Sequence, residues 1–540
     1  MNHTQNTVEI NASASRVSNN APGFWQNIIF IYIGICVLWH GLMVIVPFIH
    51  LVSPTPLNSL SDVLWAAGIL IMGADLILTR KVRRAPGILL LYALLAVAAV
   101  SSFFQRKYGV FANVKTISWM LIMFFLFYTA PFRAGKAYLG RFLKGLYYTI
   151  FTIWSCSCVL SLYQFVFQIG AEGPRYAPSP IFNSMGFYRN RLYGLFGYPE
   201  YGAVVGLVLI LAGGYYIVTT RNLAVKVLLV LMDLPIFWYI VLSVSRNAAV
   251  AMFLAVFIGA VLVFRGHLPD RIAGAGARRV LVSFLLALLV VGGLFAAYRS
   301  TVLVAEKVPS AFAKTSKKDA SVQPLPWQET GRDEGYLYKA YAAGPVKSLA
   351  ENGRNLLLTG IRDLPDAKKG SEDEKEESIL SRQDSKKDIS TGRFEIWRDY
   401  FSLTKEIGLI GLSPENSSRY IQDHNPDLYI ASYIRLNYPK RYEAGYVFHP
   451  HNGYLKVFVS TGLIGVMILL AFIGVCLARI FSYLKTHQKV SPAFLFSLLM
   501  VVAGASSAMF DLEIFFVIKP MTFIFWLSLG ILMRSSGQRE

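Results

Sequence analysis

Residues 454–477, YLKVFVSTGLIGVMILLAFIGVCL, decide how the rest of the chain is read. A helix needs about 20 mostly apolar residues to cross a bilayer, and this run of 24 meets that length. Eleven further apolar runs share its character: 27–48, 62–79, 86–104, 114–131, 146–168, 200–219, 226–244, 247–264, 280–298, 492–510 and 514–533. The whole chain agrees, with 54% hydrophobic residues, 16% charged residues and a mean hydropathy of +0.47. A soluble domain carries about 25% charged residues. The expectation is an all-α integral membrane protein, a bundle of about twelve transmembrane helices with one large external loop. Residues 1–26 and 534–540 then form tails, 27–298 hold nine spans, 299–453 the loop and 454–533 three more spans.

The net charge of +20 suggests nucleic acid until it is divided along the chain. Residues 299–453 hold 23 Lys and Arg against 22 Asp and Glu, so nearly all the excess lies in the short connections between spans. No basic stripe is interleaved with aromatics, and nucleic acid is excluded as a partner. Positive charge in short connections marks the cytoplasmic side of a membrane protein. Arg80–Arg84, Arg133–Lys144, Arg221–Lys226, Arg265–Arg279, Arg479–Lys489 and Arg534–Arg539 all fall on one side when both termini are cytoplasmic. The four cysteines, Cys36, Cys156, Cys158 and Cys476, lie inside apolar runs, which leaves neither a disulfide framework nor a cysteine metal site. The first 24 residues are polar, lack a basic signal-peptide start and read as a disordered tail.

Four segments then face outward: 169–199, the hairpin 243–247, the loop 299–453 and the turn holding Asp511 and Glu513. Within the loop, 365–390 is charge-dense, lacks aromatics and reads as disordered. Residues 393–410 space Phe394, Trp397, Phe401 and Leu403 as an amphipathic helix.

The outward segments carry the candidate chemistry. Arg191 opens RLYGLFGYPEYGA and reads either as an ordinary loop cation or as an anion-binding group at the bundle mouth. Arg246, in SVSRNAAVAM, runs against the charge bias among small residues that admit a close ligand. Arg393 begins the loop helix, and alone it is a solvated helix-end charge. His451 and Asn452 stand immediately before the 454–477 span, with Gly462 and Gly465 inside it allowing tight packing. His449 makes an i, i+2 pair with His451, weak evidence for zinc without a third ligand. Asp511 and Glu513 are expected to be solvated turn acids. Asp75 and Asp233 lie within spans nearer the cytoplasmic side, where interhelical hydrogen bonding is the expectation. Several arginines around one histidine suit a phosphorylated substrate: guanidinium binds phosphate bidentately, and imidazole titrates near neutrality.

HNGYLKVFVSTGLIG resembles the signature of the O-antigen ligase and O-antigen polymerase superfamily. The resemblance extends, in family order, through RLYGLFGYP, SVSRNA and GRFEIW followed by IGLIGLS, and covers roughly residues 180–470. A long charged insert at 365–390, and IGLIGLSPENS in place of a Gly-rich run, depart from the family pattern. The resemblance implies a GT-C-like glycosyltransferase of the bacterial inner membrane. Its donor would be an oligosaccharide on undecaprenyl diphosphate, and its acceptor a glycan or lipid-linked glycan. It further implies Arg191 and Arg246 on the donor diphosphate, Arg393 assisting, His451 as general base, Asn452 orienting the histidine or a sugar, inversion, no cofactor and no metal. Other polysaccharide assembly and export proteins would be neighbours. Surface polysaccharide polymerase is the first reading and O-antigen ligase the second. A lipid-oligosaccharide flippase is the different-class alternative; it predicts midplane ionisable residues and inverted repeats, and the polar residues cluster instead at one face.

Overall fold

The structure, a computed structural model, describes residues 23–45, 54–79, 85–167, 170–171, 185–188, 191–269, 276–305, 307–308 and 392–537. The expected disordered stretch 365–390 and the basic cluster Arg80–Arg84 lie outside these residues. The described chain is mostly helical. Nine of its described helices are long and apolar enough to cross a membrane, and the protein is an integral membrane protein.

In chain order the long helices are α1 (Phe24–Leu42), α2 (Pro54–Thr79), α3 (Ile88–Phe104) and α4 (Phe111–Ile122), which continues through a wider π turn at Met123–Tyr128. They are followed by α5 (Lys136–Val166), α6 (Pro199–Thr219), α7 (Leu223–Leu242), α8 (Arg246–His267) and α9 (Ala277–Ala305). Small helices come next: α10 (Arg393–Ser402), α11 (Thr404–Ile407), α12 (Ser417–His424), α13 (Tyr429–Asn437) and α14 (Pro439–Glu443). The chain closes with α15 (Gly453–Thr486), α16 (Pro492–Ser507) and α17 (Pro520–Ser535). Twelve spans were expected; nine are met at spanning length, and α3, α16 and α17 are apolar helices of 16 or 17 residues. The last two are short because the chain between them, 508–519, leaves the helical path and packs back on the bundle. The first expected span, 27–48, stops at Leu42, since Ile45 turns to bridge Phe196.

Packing follows from small residues. Gly202 and Gly206 share one face of α6, and a Cβ on either would run into Phe196, Tyr239 or Ile236. Between membrane helices, where lipid is as apolar as leucine, such close approach is what holds neighbours together, and α6 packs on α7. A small sheet of β1 (Gly170–Ala171), β2 (Met185–Tyr188) and β3 (Arg191–Gly194) is antiparallel and leads into α6.

Two ends are distinguished by what gathers there. At one, Arg133 pairs with buried Asp75 at 2.5 Å, Arg265 donates to the Leu484 carbonyl and Arg534 to the Ala134 carbonyl. Asp75 also accepts from Trp25 Nε1 at 3.2 Å, the interhelical role expected of it. Asp233 differs: its buried Oδ1 has no hydrogen-bond partner among the described residues. At the other end lie the described parts of all four segments read as outward-facing.

Residues 392–452 form a cap over the start of α15. Ile396, Tyr400, Leu403 and Ile407 are buried with Ile421, Ile430, Leu455 and Val459. The amphipathic helix expected at 393–410 is broken at Leu403 and ends at Ile407. Of the four apolar residues expected to share its face, Leu403 is buried and Trp397 packs against the same cluster, whereas Phe394 and Phe401 are 64% and 60% exposed. Residues 408–412 dock into α15 itself. Gly462 has φ +64°, outside the helical region, and interrupts the helix. Leu463 and Ile464 N–H groups donate to the Gly408 and Leu409 carbonyls at 3.1 and 3.0 Å, and Leu412 N–H to Val459 at 2.7 Å. A Cβ on Gly462 would strike the Leu409 backbone, and one on Gly411 the Ser460 backbone. The IGLIGL stretch and the TGLIG stretch are thus two halves of one joint.

Candidate active site

His451 sits at the foot of the cap, two residues before α15 begins, and its position is fixed from three sides. Trp397 Nε1 donates to the Pro450 carbonyl at 2.8 Å and Tyr400 OH to the Phe448 carbonyl at 2.6 Å, so α10 grips the approach to the histidine. Asn452 Oδ1 accepts from Tyr454 and Leu455 N–H at 2.9 and 3.0 Å and caps α15. Gly453 N–H donates to the Ala508 carbonyl at 2.7 Å, which joins the start of α15 to the end of α16. The result is a left-handed His451, φ +45°.

Non-glycine residues with positive φ are uncommon and gather at functional sites. Among the described residues they are Val244, Ser413, His451 and Phe516. All four fall at this end, in the 243–247 hairpin, the cap and the 508–519 segment. A β-branched residue such as Val244 is held there only by its surroundings.

Facing His451 is an acid pair that solvated turn residues would not make. Asp511 is 7% and Glu513 1% exposed, which corrects the expectation. The segment turns inward because Thr522 Oγ1 and Trp526 Nε1 donate to its carbonyls at Glu513 and Ile514. Asp511 Oδ1 lies 3.8 Å from His451 Nδ1 and 3.6 Å from Lys519 Nζ. Burial alone would raise the Asp511 carboxyl; Lys519 first, then His451 and His449, outweigh it and hold it below the usual carboxylate range. Glu513 behaves oppositely. Burial, opposed by Lys519 and reinforced by Asp511, pushes its carboxyl up to about 8. One member of the pair is therefore ionised and the other protonated at neutral pH. His449, its ring 4.0 Å from that of His451, is half-buried with its Nδ1 sealed from solvent; desolvation and then His451 hold it well below the ordinary histidine value, so it is neutral.

Around this core stand groups that the sequence did not single out. Lys519 lies over the Tyr201 ring at 4.1 Å. Tyr198 and Tyr446 both feel Arg441 and Asp511, which brings α14 to the same place. Lys519 carried a usable signal: like Arg246, it is a cation in a short outward connection, where the topological bias disfavours cations. Glu200, Tyr198 and Tyr201 carried none beyond their place in RLYGLFGYPEYGA.

The arginines divide. Arg191 is 5% exposed, donates through Nη2 to Glu200 at 2.9 Å and through Nε to the Ser243 carbonyl at 3.1 Å. It ties β3 to the hairpin instead of standing free at a mouth. Arg246 is the first residue of α8, capped by Ser245, and the next residue, Asn247, donates to Ser507 at 2.8 Å. That bond joins the hairpin to α16 near the acid pair. Arg393 begins α10 one turn before Trp397, hence on the side gripping Pro450. Gly462 and Gly465 lie within α15 and serve packing: Gly462 receives the 408–412 stretch, and a Cβ on Gly465 would meet Thr461 and Leu94.

No curated protein matches the chain. A family model described as O-antigen ligase matches residues 231–470, a stretch that holds Arg246, Arg393, His451 and the joint at Gly462. Over this stretch, 240 of the 540 residues, the chain is similar to the O-antigen ligase family, and the match supports the resemblance read from the motifs.

Proposed function

We propose that this protein is a glycosyltransferase of the bacterial inner membrane. It would polymerise or transfer oligosaccharide repeat units carried on undecaprenyl diphosphate, at the outer face, with both termini cytoplasmic. The orientation is supported by the positive-inside rule, because Arg133, Arg265 and Arg534 gather at the end away from His451. The product would be a surface polysaccharide: O-antigen, capsule or exopolysaccharide.

The observation that carries the reading is a left-handed His451 held over a buried, ionised Asp511. His451 accepts the proton of the acceptor hydroxyl, which attacks the anomeric carbon of the donor sugar. The bond to undecaprenyl diphosphate breaks, and the anomeric configuration inverts. Asp511 orients the imidazole and stabilises its protonated form; a catalytic contact of 3.8 Å tightens when substrate binds. Arg246 and Arg393 take the donor diphosphate, whose charge grows as it leaves. Arg191 braces the hairpin from below. The scheme uses no metal and no cofactor.

The test is purified protein with lipid-linked repeat unit alone. A ladder of products means polymerase, whereas product only after a lipid A core or protein acceptor is added means ligase. No product in either arm, or unimpaired transfer by His451→Ala, overturns the proposal.

A further inference from the structure

At the end opposite His451, a cavity of about 430 Å³ opens among α1, α5, α6, α16 and α17, within the roughly 300–1,000 Å³ usual for small-molecule sites. Its lining starts at Lys136 and Arg534 and continues inward past Leu143 and Tyr147 of α5, Ala212 of α6 and Met500 of α16. The α5 wall runs from Lys136 to Ile150, roughly 21 Å of helix, against a hydrocarbon leaflet of about 15 Å. The slot is therefore long, apolar and cationic at one end only.

Lys136 is exposed. Arg534 directs Nη1 at the Pro131 and Ala134 carbonyls, which leaves Nη2 and Nε for another acceptor. Tyr147 is 6% exposed, yet its hydroxyl has no hydrogen-bond partner among the described residues. Helical side chains lean toward the helix N-terminus, so this hydroxyl tilts back toward the Lys136 end.

A cationic entrance and an apolar slot of acyl-chain length together describe a glycerophospholipid. We propose that this cavity binds one anionic phospholipid of the adjoining leaflet. Its phosphate sits at Lys136 and Arg534, and an acyl chain runs past Leu143 and Tyr147 to Met500. Basic pockets between helices on the cytoplasmic side bind anionic lipid heads in this way. The proposed orientation supplies only the name of that leaflet, and the experiment reads binding rather than turnover.

Protein in mild detergent is heated with dioleoylphosphatidylglycerol, dioleoylphosphatidylcholine, undecaprenyl phosphate or inorganic phosphate, and bound lipid is counted by native mass spectrometry. Phosphatidylglycerol should raise Tm by several degrees with one molecule retained, phosphatidylcholine by less than half as much, and phosphate not at all. Ala212→Trp, which fills the slot, should abolish the shift. Lys136→Glu, at an exposed helix start that tolerates change, should erase the preference for phosphatidylglycerol. Equal shifts with both phospholipids, or an unchanged preference in Lys136→Glu, overturns the proposal. A shift with phosphate alone overturns it in favour of an ion site, and displacement of phosphatidylglycerol by undecaprenyl phosphate in favour of the carrier lipid.

Discussion

The two ends of the bundle use charge differently. At the Arg133 end, cations serve the protein's own backbone: Arg133 donates to the Phe125 carbonyl, Arg265 to Leu484, Arg534 to Ala134, and the acid Asp75 is neutralised by Arg133. At the His451 end cations are set against acids, Glu200 and the buried Asp511 among them, and stand beside strained backbone. Unbalanced positive charge sets topology and closes helix ends; cations paired with buried acids mark the candidate site.

The largest expected effect tests the His451 end directly. His451→Ala should lower glycan transfer on the order of 10²- to 10⁴-fold, the usual worth of a general base, with the thermal unfolding curve unmoved. Next comes a matched pair. Glu200→Gln unpairs Arg191, and Asp75→Asn unpairs Arg133; each strands a buried cation at a cost of about 3–5 kcal/mol. Denaturation should register both, whereas transfer per folded molecule should fall only for Glu200→Gln. Equal loss of transfer in both would erase the distinction between the ends.

Gly462→Ala should cost about 2–4 kcal/mol, since alanine resists positive φ and its Cβ meets the Leu409 backbone. Glu513 gives a signed pH effect. Its carboxyl is raised from 4.5 to about 8 in the folded protein. Its stabilising contribution is therefore complete below about 4.5 and lost as pH rises through about 8. Glu513→Gln, which copies the protonated acid, should flatten the fall of Tm across that window. The smallest effect belongs to Arg435→Ala: its partner Asp427 is 92% exposed, and loss of the pair should change stability by less than about 1 kcal/mol.

Much of this architecture is legible in the sequence because membrane crossing imposes length and apolarity residue by residue. The apolar runs, the grouping of basic connections and the placing of His451 before a span all depend on local pattern. What escapes is pairing across distance. Arg191 reads equally as a loop cation or an anion binder until Glu200 is found beside it, and Asp511 as a solvated acid until Lys519 and His451 enclose it. The face of α10 is read only in part for a related reason. Helical spacing selects Phe394 and Phe401 as readily as Ile396 and Tyr400, and only the cap they pack under decides between them.

The joint at Gly462 has a bearing on biosynthesis. A membrane helix interrupted at that point exposes amide groups that hydrocarbon cannot satisfy, and α15 borrows the missing carbonyls from Gly408 and Leu409. Those carbonyls lie upstream, so the ribosome delivers them before the interrupted helix. A permuted chain that reversed this order would present the translocon with an incomplete helix, and residues 408–412 would then have to find their slot after insertion.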